Sequence, residues 1–148
     1  MIGKEETISN LQEKKISTYL SGKNFHDENF PVASLLISPQ IKRVIRYFYH
    51  FARMSDDIAD NSKLSKNKKQ EILNFFGEMI EKSQKSDIST INNIISLFKT
   101  LPSTKRYSKE LLKAFLLDTK KKRYKNWEEL LLYCSYSANP VGRFFIYT

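Results

Sequence analysis

Cysteine is nearly absent: Cys134 is the only one in 148 residues. An intrachain disulfide is therefore excluded, and so is a cysteine-built zinc site, which needs several ligands. A chain without disulfides suits a reducing compartment. Glycine and proline are also scarce, four of each, which argues against a turn-rich β fold. No apolar run approaches the roughly 20 residues that span a bilayer. The opening "MIGKEETISN" lacks the apolar stretch of a signal peptide. These absences together predict a cytoplasmic protein, with peripheral contact at the inner membrane face as a further expectation.

Acid is in deficit. Twenty-five Lys and Arg against sixteen Asp and Glu give a net charge of +9. An anionic partner would use such charge, whether phosphates, nucleic acid or an anionic lipid surface. The lysines, however, are spread through "KLSKNKK" and "KKKRYK" and are not interleaved with aromatics as a nucleic-acid platform requires. No nucleic-acid partner is expected, and "KKKR" (120–123) reads as a solvated face.

What is present is helical periodicity. The spacing predicts a weak amphipathic helix over 5–21, marked by Ile8, Leu11, Ile16 and Tyr19. A strong helix begins at Pro39, with Ile41, Val44, Ile45, Phe48, Phe51, Ala52, Ser55 and Ala59 forming a wide buried face. Ser65 is the expected N-cap of a third helix carrying Ile72, Phe75, Phe76, Met79 and Ile80. Ile91, Ile94, Ile95 and Phe98 mark another. Residues 100–108 read as a loop around Pro102, followed by a helix through Leu111, Leu112, Phe115 and Leu116. Asn126 with Glu129 resembles a capping box that opens the last helix. In a continuous last helix, Pro140 would break a backbone bond to Tyr136 and bend it. No segment alternates with period two, so the fold class is all-α, with about six helices.

One short stretch carries charge in a pattern. In "RMSDDIAD" (53–60), Arg53, Asp56 and Asp60 continue a stripe begun by Tyr49. At about 100° per residue the four fall within roughly a 60° arc of one helix face, and Asp57 lies about 80° further round. Two carboxylates one turn apart can share a divalent cation, and hard oxygen ligands suit Mg²⁺. Arg53 would offer its planar fork to a phosphate. The same spacing also describes ordinary surface ion pairs from Arg53 to Asp56 or Asp57. Asp118 continues the apolar face of its own helix. It is either an exposed helix residue or a buried partner for a cation. His26 reads as a loop histidine and Cys134 as a packed small residue.

Two longer stretches favour the metal reading. "ENFPVASLLISPQIKRVIRYFYHFARMSDDIAD" (28–60) resembles the first signature of the squalene/phytoene synthase family, and "LLKAFLLDTKKKRYKNWEELLLYCSYSANPVGR" (111–143) resembles its next block. "ENFPVAS" and "YCSYSANPVGR" resemble the branch that makes squalene for hopanoids through a hydroxysqualene intermediate. The resemblance covers about residues 24–148. It implies an all-α isoprenoid synthase bundle around an apolar cavity, in which Mg²⁺ bridges diphosphate to two facing Asp-rich helices. By that resemblance Asp56 and Asp60 are metal ligands, with Asp57 a further candidate. Arg53 binds diphosphate, Tyr49 stands one turn before it, and Tyr133 lines the site. Asn29, Phe30, Ser137 and Val141 contact substrate. Tyr49 and Tyr133 are expected to stabilise a carbocation.

The implied activity is that of a prenyl diphosphate-dependent synthase, a transferase or a carbon–oxygen lyase. It would convert presqualene diphosphate to hydroxysqualene or squalene. Sister activities of the family start from farnesyl diphosphate or make phytoene, dehydrosqualene or presqualene diphosphate. A non-enzymatic basic helical module, binding an anionic surface or nucleic acid, is the alternative from another class. The family's second Asp-rich motif would follow position 143 by some tens of residues. Residues 1–148 are therefore expected to form the N-terminal half of the domain, lacking its C-terminal helices and inactive alone.

Overall fold

The computed structural model describes residues 13–20, 38–120 and 123–148. Asn29 and Phe30, expected at the substrate, lie outside the described residues, as does His26. Among the described residues all regular structure is helical and none is strand. The elements are α1 (Glu13–Ser17), α2 (Pro39–Asp60), α3 (Lys66–Lys82), α4 (Ser89–Ser96), α5 (Ser103–Asp118), α6 (Trp127–Tyr136) and α7 (Ala138–Ile146). A 3-10 turn, Leu97–Lys99, extends α4.

α2 starts where the sequence says it should. Pro39 takes the first helical position, and the Ser38 hydroxyl accepts the Ile41 N–H at 3.3 Å. Its buried side chains are Ile45, Phe48, Phe51, Met54, Ser55, Ile58 and Ala59. At its far end Lys69 donates to the Ala59 carbonyl at 2.8 Å, placing a cation at the negative end of the helix dipole. Asn61 donates to the Tyr19 carbonyl at 3.1 Å and so ties α1 to the end of α2.

Three expectations are revised. The first helix stops at Ser17 and does not run on to 21. The Thr18 hydroxyl donates to the Lys15 carbonyl, and Tyr19 and Leu20 close shorter i−3 bonds. Residues 103–108, read as loop, are the first turns of α5. Thr104, Tyr107, Ser108 and Leu111 are all buried at three- and four-residue steps, so small polar residues occupy the core-facing positions. Finally, the last helical region is two helices. α6 ends at Tyr136 and α7 restarts at Ala138, so Pro140 falls in a first turn, where no intrahelical N–H bond is needed.

α5 packs against α2, α3, α6 and α7 and is the hub of the bundle. The core runs continuously from Ile16 through Phe48, Phe51, Phe76, Ile80, Ile91, Leu111 and Phe115 to Phe144. α6 differs from the rest. None of its side chains is buried, and Trp127, Leu131 and Leu132 are exposed, as are Ile146 and Tyr147 just beyond. No helix among the described residues is long and apolar enough to cross a membrane.

Candidate functional site

The polar stripe of α2 is neither fully wet nor buried. Side-chain exposure is 22% for Arg53, 39% for Asp56 and 9% for Asp57, and Asp60 is exposed. The Arg53 guanidinium forks between two carboxylates: Nη1 lies 3.1 Å from Asp56 Oδ2 and Nη2 lies 3.2 Å from Asp57 Oδ1. Both ion pairs that the spacing allowed are formed. Tyr49, one turn earlier, is half-buried, with its ring edge-on to that of His50.

A second polar group, on α5 and α6, lies within electrostatic reach of this stripe. Asp118 is the last residue of α5, and its Oδ2 accepts the Tyr133 hydroxyl at 2.8 Å. The rings of Tyr124 and Tyr133 pack at 5.0 Å between centroids. Tyr124 was not singled out from the sequence. Asp118 itself is half-buried with a hydroxyl partner, which is neither of the two environments its helical position suggested. Lys120 and Arg123 of the basic run are exposed.

The two groups sense each other. Burial, then the negative charge of Asp60, pushes the Asp56 carboxyl above its ordinary value; Arg53 opposes this, and Asp57 and Asp118 add to it. Burial likewise raises Asp118, the Tyr133 hydrogen bond opposes, and Asp60 raises it further. Burial first, then the bond to Asp118, lifts Tyr133 well above an ordinary phenol, with the charge of Asp56 contributing. Asp56, Asp60, Asp118 and Tyr133 thus share one electrostatic neighbourhood built by three helices. Like charges gathered this way favour a proton or a metal cation among them.

Two other expected positions lie at the α6–α7 junction and on α7. The Ser137 hydroxyl donates to the Tyr133 carbonyl at 3.1 Å and so closes the end of α6. Val141 packs on the core. A shallow depression of about 330 Å³ at the end of α2 is lined by Tyr19, Asp57 and Asp60 among others, but not by Tyr49, Arg53 or Asp56. Among the described residues no three His, Cys, Asp or Glu side chains converge closely enough to hold a metal ion alone. Asp56 and Asp60 fit Mg²⁺ as donors, since that ion takes one or two carboxylates and completes its shell with water and phosphate oxygens.

The raised Asp56 carboxyl fixes a pH dependence. A carboxyl raised on folding contributes stability that is full below its ordinary value of 3.8 and is lost as pH rises through the folded value. Asp56→Asn should therefore melt progressively higher relative to the parent chain as pH rises from about 4 toward neutrality. Mg²⁺ should raise the melting temperature of the parent at the upper end of that range and not at the lower. A difference that shrinks with pH would mean that attraction to Arg53 outweighs burial and repulsion.

Comparison with known proteins agrees with the two signature stretches. The squalene/phytoene synthase family model matches residues 24–146. Hydroxysqualene synthase of Zymomonas mobilis is 40% identical over 143 residues, which is 93% of this chain and 47% of that protein. That of Rhodopseudomonas palustris is 40% identical over 129 residues, 85% of this chain and 43% of that protein. Chloroplastic phytoene synthase 1 of Solanum lycopersicum is 25% identical over 125 residues, 78% of this chain and 28% of that protein. No solved structure gives a significant match. The chain spans about half the length of the hydroxysqualene synthases it matches. On the family match and these identities, the chain belongs to the squalene/phytoene synthase family.

Proposed function

We propose that this chain is the N-terminal half of a synthase that ionises presqualene diphosphate and yields hydroxysqualene or squalene. The observation that carries the proposal is the Arg53 fork set beside the Asp56–Asp60 pair on one face of α2. It gains weight from identities of 39–40% to hydroxysqualene synthases, against 25–27% to phytoene synthases. Mg²⁺, when bound, would neutralise the leaving diphosphate.

The chain's own residues do the remaining work. Asp56 and Asp60 offer carboxylate oxygens to the cation. Once those charges are engaged, Arg53 can turn its planar donors from Asp56 toward a phosphate edge. Asp57, more deeply buried than Asp56, keeps the other side of the guanidinium fixed, so Arg53 is held in orientation while it exchanges partners. Tyr49 and Tyr133 would face the developing carbocation with electron-rich rings. Ser137, Val141, Asn29 and Phe30 are assigned to the prenyl chain and the diphosphate end through the family resemblance. Peripheral contact with an anionic membrane, where a prenyl substrate dissolves, would use exposed Lys120 and Arg123.

The test is calorimetric binding of a non-reactive farnesyl thiolodiphosphate to the chain, with Mg²⁺ and with a chelator. Mg²⁺-dependent binding is expected. Arg53→Lys should weaken it by about tenfold although the charge is kept, because lysine lacks the paired planar donors. Affinity unchanged by chelation, or by Arg53→Lys, would overturn the assignment and leave Arg53 as an ion-pair partner only.

A further inference from the structure

The geometry points to Asp118 as a positioning residue for Tyr133: it takes the hydroxyl hydrogen, so Tyr133 meets the α2 carboxylate face only as an acceptor. This rests on the reading of that face as a diphosphate and carbocation site. The structural basis is the 2.8 Å bond from the Tyr133 hydroxyl to Asp118 Oδ2. It joins the last residue of α5 to the middle of α6, where Tyr124 also packs on Tyr133.

A phenol has one hydrogen to give. With that hydrogen on Asp118, Tyr133 cannot protonate a departing diphosphate oxygen. Donation to a carboxylate also polarises the O–H bond and leaves the oxygen and ring richer in electrons. A group of that kind favours positive charge beside it and does nothing for an anion. Tyr133 therefore serves the cationic half of an ionising pair, while Arg53 serves the anionic half. Asp118 acts through Tyr133 and need not touch the substrate. Its place at the end of α5, the hub of the bundle, is what lets it hold a side chain of the exposed helix α6 in a fixed orientation.

Two probes separate these roles: inorganic diphosphate with Mg²⁺, and a protonated farnesyl dimethylamine added to that complex as a carbocation mimic. Asp118→Asn and Tyr133→Phe should each weaken amine binding about three- to tenfold, and the double variant no further than either alone. Diphosphate affinity should stay within about twofold throughout. Additive losses would mean that Asp118 acts on the cation directly, and equal losses for both probes would mean a structural role; either overturns the proposal. If the parent chain binds neither probe, the diphosphate reading itself fails. The positioning claim is then decided by the tyrosine Raman doublet, taken as the difference between the parent and Tyr133→Phe, which also serves if Asp118→Asn does not fold. A strong-donor signature for Tyr133 supports it, and an acceptor signature refutes it.

Discussion

Phe144→Ala should lower the stability of this chain by about 3–5 kcal/mol. Phe144 is 2% exposed and lies flat on Phe48, with ring centroids 3.9 Å apart and planes inclined by 12°. α7 is nine residues long and buries only Pro140 and Phe144. A helix of that length does not hold together in water without tertiary packing. The ring of Phe144 is therefore the main anchor of α7 on α2, and its loss would leave a void against Phe48. In a chain of this size the melting temperature should fall by roughly 6–20 °C. Phe145→Ala, next in sequence but 38% exposed, should change it by no more than a few degrees. Equal effects at the two positions would contradict the packing described.

The second large effect concerns activity. The 148-residue chain, purified with Mg²⁺ and detergent, should form no product from presqualene diphosphate or farnesyl diphosphate. Two carboxylates leave most of an Mg²⁺ shell to water, and no third acidic or imidazole ligand converges among the described residues. The family resemblance implies a second Asp-rich helix opposite α2, and the sequence contains no second Asp-x-x-x-Asp pattern. Reactive cations survive only where water is excluded. Here the face carrying Arg53 and Asp56 is partly open, and the apolar side chains of Trp127, Leu131, Leu132 and Ile146 face outward. Those side chains should also promote self-association. Turnover abolished by Asp56→Asn would refute this prediction and would mean that a second copy, or Asp118, completes the site.

The sequence was most legible where apolar spacing and capping agree. α2 and α3 begin at Pro39 and Lys66, the first on the expected proline and the second behind the expected Ser65 cap. Asn126 caps α6 as anticipated, accepting the Glu129 N–H at 2.9 Å, although the Glu129 carboxylate reaches back to the Lys125 N–H instead of that of Asn126. The start of α5 was hidden because its core positions are Thr104 and Ser108. An apolar count passes over them, and their buried hydroxyls have no hydrogen-bond partner among the described residues. The α6–α7 break was half-visible: Pro140 showed that something must yield, but not that Ser137 would end one helix and let another begin. At the site, the Arg53 ion pairs follow from spacing within one helix. The Asp118–Tyr133 bond joins residues fifteen apart on two helices, and no periodicity within either helix encodes it.

The central claim is that the α2 carboxylates hold the cation through which this chain binds a diphosphate. Calorimetry of farnesyl thiolodiphosphate against the parent, Asp56→Asn and Asp60→Asn, each with and without Mg²⁺, tests it most directly. The account predicts Mg²⁺-dependent binding by the parent and loss of that dependence in both variants. A basic module that merely attracts anions predicts the reverse, because removing negative charge from a chain of net charge +9 would leave binding unchanged or strengthen it, and that result would contradict the account.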